Sequence, residues 1–188
     1  TLPPLLAVIL ALSLGVSSGE GQQPIDAVKE TVERLKKAVG NRPLIQKLIL
    51  ERMDFEEMGK RSLGRHWRGL LRAEKKEYLD LFAKYVESFY RKQVFESVEF
   101  LESVDIKYLK QRSDSEFAEV DIQIFARNNK ISITFKLHLV DEQWKTYDLV
   151  AENISTVSNL RAQFDRIISQ HSFAELLNRL REKIKELD

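Results

Sequence analysis

No cysteine occurs among the 188 residues. Disulfide frameworks, zinc–thiolate centres and thiol nucleophiles are therefore excluded, as is a lipid-modified N-terminal cysteine. Neither charge sign dominates: 30 Lys and Arg stand against 29 Asp and Glu. A nucleic-acid binder carries a basic excess on one face, and a polybasic membrane-binding surface needs one too. The balance argues against both.

Several chemical signatures are missing as well. Gly59-Lys60 lacks the upstream glycine and the following Ser/Thr of a phosphate loop. His66, His138 and His171 are far apart and have no ligand spacing, so no metal is expected. No serine sits in a nucleophile elbow. Asp and Glu are interleaved with Lys and Arg on helical faces, the pattern of a solvated ion-pairing surface. No cofactor is implied. There is no internal repeat, low-complexity run or interdomain linker.

What is present begins with an apolar run, Leu5 to Val16, followed by Val16, Ser17, Ser18 and Gly19. The run is too short to span a bilayer and has the length of a signal-peptide core. Residues 1–19 are expected to be a signal peptide, incomplete at its N-terminus, and 20–188 a single domain.

Helical periodicity follows. Ile25, Val28, Val32, Leu35 and Val39 form one stripe, stopped by Gly40 and Asn41. Asn41 and Asp54 are expected to cap the next two helices, whose apolar residues include Leu44, Ile45, Leu48 and Ile49 in the first and Phe55 and Leu63 in the second. Gly64 and Gly69 bracket Trp67 in a loop or short helix. The longest helix spans Arg72 to Val94. Its residues Leu81, Phe82, Tyr85, Val86, Phe89 and Tyr90 cover about half the circumference, wider than a single packing contact requires.

The period then changes to two. Val104, Ile106 and Tyr108 form one strand; Val120, Ile122 and Ile124 a second; Ile131, Ile133, Phe135, Leu137 and Leu139 a third; Tyr147, Leu149 and Ala151 a fourth. Asn128-Asn129 and Asp141 to Gln143 make the turns. Two helices close the chain, the last with the stripe Phe173, Leu176, Leu177, Leu180, Ile184 and Leu187. Helices, a four-stranded antiparallel meander, then helices predict an α+β domain with helices on one face of a curved sheet. The layout is similar to the nuclear transport factor 2-like cone, with an apolar pocket.

The most specific stretch is Trp144 to Phe164, W-K-x-Y-D, then E-x-[IV]-S, then S-N-x-R-x-Q-F. It resembles the MlaC (toluene-tolerance) family. So do Asp54-Phe55 through Leu63-Gly64 and Trp67, the helix Tyr78 to Val94, and the tail Phe173 to Leu180. Departures are Asn153 for a usual Gly, Thr156 for an apolar residue, Leu160 for a common Tyr, and Ser172 for Gly. Asn153 can adopt the left-handed conformation that the turn needs.

The resemblance implies a soluble periplasmic lipid carrier and not an enzyme. Its ligand would be a diacyl phospholipid, or a hopanoid-like lipid. Its partners would be an inner-membrane ABC transporter complex and an outer-membrane lipoprotein complex, its role the maintenance of outer-membrane lipid asymmetry, and its state monomeric. It also implies pocket roles for Tyr90, Ile131 and Ile154. Periodicity adds Phe82, Val86, Phe89, Ile133, Phe135, Tyr147 and Leu149, and the apolar surplus adds Leu63 and Trp67. Two other readings compete. One is an adaptor with a filled core. The other is a cone-fold isomerase or dehydratase using Tyr147, Asp148 or His138; strand parity, which puts Tyr147 and Asp148 on opposite faces and turns His138 outward, opposes it. The basic cluster Lys60, Arg61, Arg65, Arg68 and Arg72 reads as solvated surface more readily than as a docking face.

Overall fold

Proline at the start, Asp26 in the first turn and Lys36-Lys37 in the last make helix α1 (Pro24–Ala38) complementary to its own dipole. Gly40 then takes a φ of +83° and ends it. Helix α2 (Arg42–Glu51) starts at Asn41, whose side chain accepts the Leu44 N–H at 3.1 Å. Helix α3 (Phe55–Leu63) starts at Asp54, whose Oδ1 accepts the Glu57 N–H at 2.9 Å. Both expected caps are in place. A 3₁₀ turn, Gly64–Gly69, leads to the long helix α4 (Arg72–Val94). The computed structural model describes residues 21–94, 103–126 and 129–187. The expected signal peptide (1–19) and Asn128 of the first expected turn lie outside them.

The strands are β1 (Asp105–Ser113), β2 (Phe117–Ala126), β3 (Asn129–Val140), β4 (Gln143–Ala151) and β5 (Ile154–Ser155), antiparallel throughout and arranged in that order. The sheet has one strand more than the sequence predicts. Strand β5 has only two residues, too few for any alternation to register. Asp141 and Glu142 both have positive φ, the requirement of a tight hairpin turn between right-twisted strands. Glu152 and Asn153 do the same before β5, with φ of +47° and +66°.

Cross-strand neighbours Val120–Phe135, Ile122–Ile133, Phe135–Leu149 and Ile133–Ala151 bury one face of the sheet. The other face carries ion pairs: Arg112 reaches Glu119 at 2.7 Å and Asp121 at 3.2 Å, and the Thr134 hydroxyl donates to Asp121 at 2.6 Å. Alternation of this kind is what a sheet covered on one side requires. The start of α1 is tied to two strands. The Ile25 N–H donates to Gln111 Oε1 on β1, and Trp144 Nε1 on β4 donates to the Gln22 carbonyl, both at 2.8 Å. Strand β1 is the outermost strand of the sheet among the described residues. Its register slips between Tyr108 and Lys110, and Lys107, Lys110 and Arg112 are exposed along it.

Strand β4 holds a bulge. Lys136 pairs with Asp148 but Leu137 pairs with Thr146, so Tyr147 is the extra residue. Strict alternation separates Tyr147 from Asp148; the bulge reunites them. The Tyr147 ring meets Phe117 edge-on at 5.8 Å, while Leu149 stays in the core with Phe135. Period-two reasoning fails here because it assumes an uninterrupted pleat. Beyond the bulge, residues 52–54 run beside β4: Thr146 N–H donates to the Arg52 carbonyl, and Asp54 N–H to the Thr146 carbonyl. That pairing carries α3 to the side of the sheet. Helix α5 (Thr156–Gln170) follows β5 directly, and α6 (Phe173–Leu187) packs along α4.

Candidate functional site

Helix α5 begins where Ser155 caps it, its hydroxyl accepting the Ser158 N–H at 3.0 Å. Asp148 strengthens the same end. Its carboxylate accepts the Val157 N–H at 2.9 Å and the Ser155 hydroxyl at 2.7 Å. A buried carboxylate on the first turn of a helix meets both the free N–H groups and the positive end of the dipole. The β4 bulge thereby sets the direction of α5, which lies opposite α4.

Between these two helices is a cavity of about 80 Å³. Helix α4 contributes Tyr85, Val86, Phe89 and Tyr90; α5 contributes Thr156, Asn159, Leu160 and Gln163; Met58 of α3 closes the interior. Phe89 stands edge-on to Tyr90 at 5.5 Å and tilted against Tyr85 at 6.4 Å. Burial pushes the Tyr90 phenol well above its ordinary value, with Tyr85 and Asp148 adding to the shift; burial raises Tyr85 too. Both phenols are uncharged at neutral pH, so the α4 wall presents no charge.

The α5 wall is different. Thr156 Oγ1 is buried and has no hydrogen-bond partner among the described residues. Asn159 and Gln163 are exposed at the rim, with Gln163 Nε2 donating to Asn159 Oδ1 at 3.3 Å. The cavity thus grades from an amide rim to an apolar interior. Its volume is smaller than the roughly 150 Å³ of an engineered apolar cavity that accepts benzene, and far below the 300 Å³ or more typical of drug-sized pockets. A large ligand enters only if α4 and α5 separate.

Of the expected pocket residues, the structure brings Val86, Phe89 and Tyr90 to this cavity. Phe82, Ile133, Phe135 and Leu149 are packed in the core, Phe82 edge-on to Phe164 at 6.3 Å. Ile131 is half-buried opposite Ile124. Ile154 is 55% exposed on β5. Leu63 is buried under a surface cleft lined by Arg65, Ser158, Arg161, Ala162 and Asp165. Trp67 is half-buried on the 3₁₀ turn, with the Lys75 ammonium 5.3 Å from its ring. Tyr147 lies on the charged face of the sheet, its ring 4.4 Å from the Arg61 guanidinium. Sequence reasoning missed Met58, Tyr85, Thr156, Asn159, Leu160 and Gln163 as cavity residues. The spacing 156, 159, 160, 163 is one helical face, but three of those four side chains are polar and give no apolar signal.

The groups considered for acid–base chemistry are otherwise engaged. Asp148 caps α5. His138 Nδ1 is 2.6 Å from Asp54 Oδ2, and its ring stacks on Phe117 at 4.6 Å. His138 does point away from the apolar face, as its parity requires. In the basic cluster, Lys60 and Arg61 pair with Glu57, and Arg65 pairs with Asp165. Among the described residues no cluster of three or more His, Asp or Glu could hold a metal ion. No helix among them is long and apolar enough to cross a membrane.

The fold is that of an α+β domain, a curved and unclosed antiparallel sheet with helices, and a small cavity lies between two of the helices. The chain belongs to the MlaC protein family, whose model matches residues 22–182. Among solved structures it is similar to a phospholipid-binding protein from Ralstonia solanacearum, determined in complex with a phospholipid. The two superpose with a TM-score of 0.71 at 18% identity, over 88% of this chain and 99% of the other. No curated protein sequence matches the chain.

Proposed function

We propose that this protein is a periplasmic carrier that takes up a diacyl phospholipid between α4 and α5, shuttling it between an inner-membrane ABC transporter complex and an outer-membrane lipoprotein complex. Such traffic would maintain lipid asymmetry in the outer membrane. The observation that carries the reading is the uncharged apolar wall Val86, Phe89 and Tyr90 facing α5 across a cavity. Family membership and the phospholipid-bound relative support it.

The energetics state what such a carrier must do. Each acyl methylene exposed to water costs roughly 0.8 kcal/mol. Two chains of about sixteen carbons therefore cost on the order of 25 kcal/mol to move bare through water. Parting two helices exposes far less apolar area than the tails themselves, so the exchange is favourable once the tails are inside. The cavity in its present form is the closed state, and the tails line the opening as they enter. The headgroup stays at the amide rim. An enzymatic reading finds no support in Asp148, whose carboxylate caps α5, or in His138, whose Nδ1 is held by Asp54 on the charged face of the sheet.

Organic extraction of the purified protein followed by mass spectrometry is the test. Diacyl lipid in stoichiometric amount is expected. A protein that carries none, and takes none from phosphatidylethanolamine vesicles, refutes the reading; a bound small metabolite would favour an enzyme.

A further inference from the structure

We propose that Thr156 recognises the acyl-ester carbonyl of the bound lipid, so that the carrier distinguishes ester-linked from ether-linked chains. The inference rests on the lipid-carrier reading and adds to it the linkage chemistry of the ligand.

The first observation is an orphan. Thr156 is 8% exposed, its Oγ1 is buried, and it has no hydrogen-bond partner among the described residues. Buried hydroxyls are nearly always partnered, because an unmade bond in an apolar setting is costly. Its neighbours in the same turn are satisfied: Val157 N–H by Asp148 and Ser158 N–H by Ser155. The hydroxyl is thus the buried side-chain donor of this turn left over, and Thr156 lines the cavity.

The second observation is position. Thr156 is the first residue of a 15-residue helix. The partial positive charge of that end favours an acceptor oxygen as partner. It also lies at a boundary, between the exposed amides of Asn159 and Gln163 and the buried Met58 and Val86. A ligand matched to this gradient has a hydrated end, an apolar end, and a hydrogen-bond acceptor where they join. A glycerol diester has that order: headgroup, ester carbonyl, acyl chain. A dialkyl ether lipid has the same outline without the carbonyl.

The test uses the full mature protein, stripped of lipid. Uptake is measured from vesicles of a diacyl phosphatidylethanolamine and from vesicles of its dialkyl-ether analogue of equal chain length. Wild-type protein is expected to prefer the ester by about tenfold, the worth of one hydrogen bond otherwise left unmade in a dry site. Thr156→Val removes the hydroxyl at nearly constant shape. It should bring the ratio close to one, and Thr156→Ser should restore the preference. Equal uptake of both lipids by the wild type overturns the proposal and leaves the carrier reading intact. Uptake of neither refutes the carrier reading itself. An undiminished ratio in Thr156→Val also overturns the proposal. Should that variant fail to fold, Thr156→Ala decides: a ratio near one supports the hydroxyl, and an undiminished preference rejects it.

Discussion

The Tyr78 phenol donates a 3.1 Å hydrogen bond to the main-chain carbonyl of Gly59, joining α4 to α3 in the interior. The contact depends on Gly59 lacking a side chain. A Cβ there would lie 3.0 Å from both Leu79 Cδ2 and Phe82 Cδ1. Gly59→Ala gains up to about 1 kcal/mol of helix propensity and spends it on that crowding, so its net effect is small. Gly59→Val has no such compensation. It should lose about 2 kcal/mol in urea unfolding, with the Tyr78 bond broken. Wild-type stability in Gly59→Val would show that the two helices do not meet there.

Burial pushes the phenols of Tyr78 and Tyr90 well above the ordinary tyrosine value of about 10. Their folded-state values exceed their unfolded ones, so their contribution to stability is complete below pH of about 10 and is lost as pH rises through the folded values. Phenolate absorbance and circular dichroism should change together on alkaline titration. Tyr90→Phe should move the alkaline midpoint upward. All five phenols ionising while the fold is intact would contradict the burial of these two rings.

Asp148 holds the start of α5 through the Val157 N–H and the Ser155 hydroxyl. Asp148→Ala leaves the buried Val157 N–H without an acceptor and frees the half-buried Ser155 hydroxyl, and should cost about 3 kcal/mol in chemical denaturation. Ser155→Ala removes the cap to Ser158 and one hydroxyl donor to Asp148 but leaves the carboxylate on the Val157 N–H, and should cost about 1 kcal/mol. If the two variants lose equal amounts, the carboxylate is not the principal anchor.

Three aspartate substitutions separate cavity from core. Phe89→Asp puts a charge at the cavity wall, half-exposed, and should cut retained lipid more than tenfold while circular dichroism is unchanged. Ile133→Asp buries the charge among Ile122 and Ala151, and should not yield folded protein. Ile154→Asp falls on an exposed side chain, and should change stability by less than about 0.5 kcal/mol and keep its lipid. Lipid loss in Ile154→Asp alone would move the site to β5.

The parts of this fold that were readable from sequence are those set by neighbours along the chain. Asn41 and Asp54 cap helices because their side chains reach N–H groups three residues on. The long α4 and the β2–β3–β4 meander follow from periods of 3.6 and 2. The bulge at Tyr147 left no such mark, since an extra residue is visible only against the partner strand. The cavity was half legible. Its α4 wall is apolar and periodic; its α5 wall, Thr156, Asn159 and Gln163, has the side-chain character of a solvated surface and becomes a lining only when α4 is laid against it.

Among the described residues β1 is the outermost strand, and an outermost strand's row of amides would ordinarily template fibril growth from one copy to the next. The slipped register at Leu109 twists that row of amides out of line, and Lys107, Lys110 and Arg112 repel an identical strand brought alongside. Concentrated stocks should therefore withstand removal of their cargo without forming amyloid-like aggregates through β1.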